Sequence, residues 1–136
     1  MNIRVRAIIK KEDKILLIHR IKKEREYWVF PGGGVEETDG SKEAALIREC
    51  KEELGVGVRV GDLFTSTIFG DTNNEQREYF YLCEITSGKL GTGSGPEFQG
   101  MAGYEGMYAL EWISLKDLPL KNVQPTEMKA ALLKEA

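Results

Sequence analysis

Apolar residues change their spacing several times along the chain, and each change marks an element. Ile3, Val5, Ala7 and Ile9 alternate with Arg4, Arg6, Ile8 and Lys10, which predicts a strand with one wetter face. Glu12-Asp13 reads as a turn. Ile15 to Ile18 is apolar on both parities and suits a buried strand, followed by a charged loop from Lys22 to Glu26. Tyr27-Trp28-Val29-Phe30 is a short extended piece, stopped by Pro31 and a glycine triplet that reads as a pliable turn.

Period two then gives way to a helical pattern. Ser41 can cap it, Glu43 suits its first turn, and Gly55 after Leu54 is a natural stop, so the helix runs for roughly a dozen residues. β-branched and aromatic residues return over Val56–Ile68 and Gln76–Ile85, predicting two more strands. Residues 87–106 hold seven glycines in twenty and read as a loop. Met107–Ile113 resumes the strand pattern, Ser114–Leu118 suggests a short helical turn, and Thr126–Lys134 has the composition of a terminal helix. Mixed strands with two or three helices predict an α/β (α+β) domain in which helices cover a mixed sheet.

At 136 residues the chain is read as one domain, 1–136. A net charge of -3 argues against a surface built to coat nucleic acid, so no nucleic-acid partner is expected. The two cysteines, Cys50 and Cys83, make no disulfide framework and are expected to be core thiols. The N-terminus runs straight into a strand pattern with no apolar leader, and no apolar run approaches a membrane span. A cytoplasmic location and no membrane association are expected. The oligomeric state is left open, a homodimer included.

The acidic helix carries the chemistry. At about 100° per residue, Ile47, Cys50 and Leu54 share the side expected to pack on the sheet, while Glu49, Glu52 and Glu53 fall opposite within roughly 100°. Like charges at these spacings cost only about 0.2–0.5 kcal/mol per pair when solvated, so a plain acidic face is physically permissible. Carboxylates at i, i+3 and i+4 also converge on one spot, where a hard divalent cation such as magnesium finds oxygen ligands. Carbonyls in a glycine turn can add another oxygen, and phosphate oxygens fill the positions left open.

The run Arg48-Glu49-Cys50-Lys51-Glu52-Glu53-Leu54-Gly55-Val56 closes a segment, residues 33–56, that resembles the Nudix box, G-x5-E-x7-R-E-U-x-E-E-x-G-U with U a bulky aliphatic residue. Five fixed letters at about one in fifteen each make a chance match on the order of one in a million per starting position. The likeness extends outward to Trp28-Val29-Phe30-Pro31-Gly32-Gly33 and to Glu111-Trp112-Ile113-Ser114-Leu115-Lys116-Asp117-Leu118-Pro119. The first half departs from the pattern. Counting forward from Gly33, Asp39 takes the acidic slot, and eight residues instead of seven precede Arg48, which is read as a one-residue insertion around Thr38-Asp39-Gly40. Asp39 is then the preferred partner of Arg48, with Glu36 and Glu37 as rivals.

The resemblance implies a Nudix-like α/β/α sandwich with a mixed sheet flanked by helices. It also implies magnesium-dependent hydrolysis of a phosphoanhydride bond in a nucleoside di- or triphosphate or a nucleoside diphosphate derivative, with manganese as the alternative cation. Glu49 and Glu53 are implied metal ligands, Glu52 a ligand or base, and a carbonyl of Gly32 or Gly33 a further ligand. Arg48 would orient the carboxylates. Catalysis is thus assigned to Glu52, Glu53 and Arg48, and substrate binding to Arg20, Gly34 and Glu105. Glu97 and Glu105 are loop alternatives for the base. Lys22, Lys23 and Arg25 are further phosphate candidates, and Tyr27, Trp28, Tyr104 and Tyr108 are candidates to stack on a base or to pack. His19, the lone histidine, cannot make a histidine-rich metal site. A noncatalytic sensor that keeps the fold and binds a nucleotide is the alternative. A diphosphate isomerase is disfavoured by the short chain and the lack of an exposed catalytic cysteine.

Overall fold

The computed structural model describes residues 2–70, 73–91 and 107–134. Strands β1 (Asn2–Lys11) and β2 (Lys14–Lys22) form a hairpin, followed by β3 (Arg25–Val29) and the three-residue β4 (Gly32–Gly34). A 3-10 turn at Glu37–Asp39 leads into α1 (Lys42–Leu54). The long ribbon of β5 (Val56–Phe69) and β6 (Gln76–Gly88) comes next, then β7 (Met107–Ser114), a second 3-10 segment (Leu115–Leu120), β8 (Val123–Gln124) and α2 (Glu127–Lys134). The strands run in the order β5-β6-β1-β2-β3-β8, with β4 also on β1 and β7 also on β2. The β1–β6 and β3–β8 pairs are parallel, and the others antiparallel. The sheet is therefore mixed, as the pattern predicts.

Strand parity divides the interior into two cores. Val5, Ala7 and Ile9 of β1 and Leu16 of β2 pack with Ala45, Leu46, Cys50 and Leu54 of α1. Ile8, Ile15 and Leu17 point the other way and pack with Phe30, Phe80 and, from α2, Met128 and Leu132. One helix thus lies on each face, giving the expected α/β/α layering. At about 25 cal/mol per Å² of apolar area, each fully buried Leu or Ile contributes about 1.5–3 kcal/mol, so both helices are held mainly by these stripes.

Helix α1 starts and stops where its residues dictate. The Ser41 hydroxyl accepts from the Ala44 N–H at 3.0 Å. Gly55 takes the left-handed conformation (φ 79°) that closes the last turn, its N–H donating to the Lys51 carbonyl.

Several expectations need correction. Ile47 is 43% exposed, and the buried stripe runs through Leu46, Cys50 and Leu54 instead. These residues are four apart and stack in one row on the sheet, which leaves Ile47 on the flank. The charged loop at Lys22–Glu26 shrinks to Lys23 and Glu24, both at positive φ, because β2 and β3 stay paired up to Lys22 and Arg25. The glycine triplet is a strand: with no side chains to seat, its backbone lies directly on β1, Gly32 to Gly34 opposite Arg6 to Arg4. Strand β8 carries no periodic signal, being two residues long. Among the described residues no helix is long and apolar enough to cross a membrane.

Candidate active site

The register of β4 fixes what its backbone can offer. The Ala7 N–H donates to the Pro31 carbonyl and the Val35 N–H to the Ile3 carbonyl. Bonded pairs in an antiparallel ladder alternate, so Val5 and Gly33 belong to the bonded set, and the Gly32 amide and carbonyl lie outside it. The Gly32 N–H accordingly donates to Glu53 Oε1 at 2.6 Å. Between the two carbonyls expected to serve as a ligand, the register leaves that of Gly32 available and commits that of Gly33 to the ladder.

The three glutamates sit on two adjacent rows of α1. Residues 45, 49 and 53 form one row of α1, which begins at buried Ala45 and continues along the glycine strand. Glu49 packs so closely on Gly33 that a Cβ there would stand 2.6 Å from its carboxylate. Glu52 belongs to the next row, with Arg48, and is 46% exposed where Glu49 is 15%. Among the described residues no three acidic, histidine or cysteine side chains form a ready-made metal cluster. Glu49 and Glu52 share Arg48 Nη1, and Glu53 is held at the Gly32 amide.

Arg48 ties these parts together. Its Nε and Nη2 donate to the two oxygens of Asp39 at 2.7 and 3.0 Å, a two-pronged grip. Nη2 also donates to the Gly34 carbonyl at 3.1 Å, and Nη1 to Glu49 at 3.1 Å and Glu52 at 3.4 Å. Of the rival acids, Glu36 reaches only 4.0 Å and is largely exposed, while its backbone N–H donates to Asp39. The turn brings Asp39 to Arg48, with Gly40 at φ 82°.

The charges respond to this packing. The Arg48 guanidinium, helped by the Glu36 N–H, holds the Asp39 carboxyl down at about 2. Asp39 in turn holds the Arg48 proton above its ordinary value. Burial pushes the Glu49 carboxyl up; Arg48 counteracts this and Glu52 adds to it. A half-buried carboxylate beside a second one is a place where a hard cation is favourable. The donor set, carboxylates and a backbone carbonyl, is all oxygen and fits magnesium or manganese.

Arg20 lies on β2 across from Tyr27 and Tyr108, its guanidinium 5.7 Å from the Tyr108 ring centroid. Gly34 gives its carbonyl to Arg48, and a Cβ there would meet nothing within 4 Å. Glu97, Tyr104 and Glu105 lie outside the described residues. His19 stacks on Trp28 (centroids 4.2 Å, 6° between planes), with its ring nitrogens 2.8 Å from Glu26 and Glu111. It therefore fastens β2 to β3 and β7. Both cysteines are buried and free.

The pattern of charges in β1 holds residues that sequence reasoning passed over. Arg6 Nε donates to Glu78 Oε2 at 2.7 Å and Nη1 to the Phe30 carbonyl at 3.1 Å. Glu78 is the buried acid among the described residues, at 5% exposure. Two arginines on alternate positions of a strand were the available signal.

Comparison with known proteins agrees with this geometry. The family model described as NUDIX domain matches residues 2–132. The CTP pyrophosphohydrolase of Escherichia coli (strain K12) is 44% identical over 64 residues, 46% of this chain and 47% of that protein. The human diphosphoinositol polyphosphate phosphohydrolase 2 is 35% identical over 75 residues, 55% of this chain and 39% of that protein. The chain therefore spans less than half the length of the curated relatives it matches. The crystal structure of a MutT NUDIX hydrolase from Burkholderia pseudomallei superposes with a TM-score of 0.72 at 28% identity, covering 94% of each chain. With the box in place on α1, the glycine strand beside it and a matching family model over nearly its whole length, this chain belongs to the Nudix hydrolase family.

Proposed function

We propose that this chain is a divalent-cation-dependent pyrophosphohydrolase that cleaves a phosphoanhydride bond in a nucleoside triphosphate or a nucleoside diphosphate derivative. The observation that carries the reading is the row of Glu49 and Glu53 along Gly32–Gly33, steadied by an Arg48 that is itself locked to Asp39. Glu49, Glu53 and the Gly32 carbonyl would hold magnesium, or manganese in its place. Bound there, the cation would neutralise phosphate oxygens and favour attack by water. Arg48 keeps both rows of carboxylates in position and does not touch the reacting atoms. Glu52, the more exposed acid, is assigned as the base that takes the proton from water, or as an added ligand.

A cleft of about 410 Å³, lined by Arg6, Val29, Glu78, Gln124, Pro125 and Thr126, opens beside the glycine strand and has room for the rest of a nucleotide. A larger cavity lies against Val56, Gly88 and Trp112, toward the hairpin end of β1 and away from the Glu49–Glu53 row. Chemistry rather than size favours the smaller one. The E. coli relative's name makes CTP the first substrate to try, and the human relative's name adds diphosphoinositol polyphosphates to the panel.

The test is a substrate panel with magnesium and product identification. Glu53→Gln should lower turnover at least about 100-fold. Equal turnover in wild type and Glu53→Gln would defeat the assignment. Tight nucleotide binding with no turnover in wild type would instead favour a noncatalytic sensor.

A further inference from the structure

Strand β1 sends Arg4 and Arg6 to the same face, two residues apart, between the glycine strand on one side and β6 on the other. Only one of them is matched. Arg6 is bound to Glu78 and to the Phe30 carbonyl. Arg4 is half-buried, yet among the described residues its side chain has neither a hydrogen bond nor an ion pair. Its guanidinium has five N–H donors, and leaving such a group partly out of water without acceptors is unfavourable. The neighbouring Arg6 charge makes it worse. Glu78, Glu49 and Glu53 favour the charge from around it. Its register partner in β4 is Gly34, one residue beyond the Gly33 that Glu49 packs against.

A cation placed this way has donors to spare, and the anion that fits beside two metal-binding carboxylates is a phosphate. We propose that Arg4 is a phosphate-binding residue of this site, gripping oxygens of the phosphoryl group next to the one held at Glu49 and Glu53. The proposal rests on the pyrophosphohydrolase reading and supplies what the box alone lacks, a donor fork for the second phosphate of a diphosphate. The competing account is that Arg4 merely offsets the acids from a distance.

Methylenediphosphonate, a diphosphate that cannot be hydrolysed, separates the two by calorimetry at saturating magnesium. Arg4→Gln should weaken its binding about 10- to 100-fold, the loss expected for a hydrogen bond to a charged group. Arg4→Lys, which keeps the charge and loses the fork, should fall between that variant and wild type. Arg59→Gln, at an exposed arginine paired with Glu84 on the β5–β6 ribbon, controls for net charge and should bind as wild type does. Thermal melts of each variant establish that folding is intact. The proposal is overturned if Arg4→Gln binds the bisphosphonate as tightly as wild type and changes only the magnesium affinity measured without ligand. It is overturned equally if Arg59→Gln loses as much, or if wild type binds no bisphosphonate. Should wild type hydrolyse nothing on the panel while Arg4→Gln still loses the bisphosphonate, the hydrolase reading fails and the Arg4 site stands.

Discussion

Gly33→Ala and Gly34→Ala differ by one position in β4 and should differ sharply in effect. Neither glycine sits at positive φ, so alanine meets no backbone strain at either. A Cβ at Gly34 would have nothing within 4 Å, whereas at Gly33 it would stand 2.6 Å from Cδ and Oε1 of Glu49. Ordinary contact begins near 3.4 Å, so the carboxylate must retreat by about 0.8 Å. A twisted side-chain torsion costs about 0.5–1.5 kcal/mol. Alanine's less flexible unfolded chain offsets about 0.4–1 kcal/mol of that. Global stability should hold, with the melting midpoint within about 5 °C of wild type. The position of Glu49 is what changes. If this carboxylate holds the cation, manganese affinity by calorimetry should drop about 10- to 100-fold in Gly33→Ala, as for ligands whose supports are disturbed. Gly34→Ala should match wild type. A Gly33→Ala protein that melts normally and binds manganese as tightly as Gly34→Ala would refute the placement of Glu49 at the cation.

Two further outcomes follow from the charges and thiols. Asp39 has a folded value of about 2 against an ordinary 3.8. Its folded value lies below its unfolded one, so its contribution is fully present above about pH 4 and is lost as the pH falls toward 2. Acid unfolding of Asp39→Asn should be flatter than wild type in that window, and superimposable acid limbs would sever the pair from folding. Burial pushes both thiols up, Cys83 to about 11 and Cys50 also above the ordinary thiol range. Ellman's reagent at pH 8 should therefore find no rapid thiol in the native protein and two after denaturation; a fast native thiol would contradict the packing of α1 on the sheet.

What the chain disclosed by itself was local. The Ser41 cap, the Gly55 stop and the Arg48–Glu53 run depend on neighbours within a turn or two, and all are legible as letters. Asp39 could be preferred over Glu36 and Glu37 only by counting, because the three share one turn and differ in how that turn folds. Ile47 was expected to be buried because it is apolar and in phase. Whether 46 or 47 faces the sheet is decided by where β1 and β5 meet the helix. Arg4 gave no sign of its condition: what surrounds a strand residue is set by the strands beside it, here β6 and β4, and their pairing with β1 is long-range. Residues 49, 52 and 53 read as one acidic face in the sequence, whereas the contact of Glu49 and Glu53 with the glycine strand depends on long-range pairing of that strand with β1.

The double duty of β1 sets what kind of variation this domain tolerates. Odd positions seat the α1 layer, and even positions carry Ile8 and the two arginines toward the α2 layer. Deleting one residue before Arg4 would exchange the two sets wholesale, dropping guanidinium groups into one core and valine into the charged cleft. The connection at 38–40 differs: a Cβ at Gly40 would meet nothing within 4 Å, so the turn has room for an extra residue. Length polymorphism among relatives should therefore gather in such turns and spare the first strand, where a frame of two is the only one that builds both halves of the molecule.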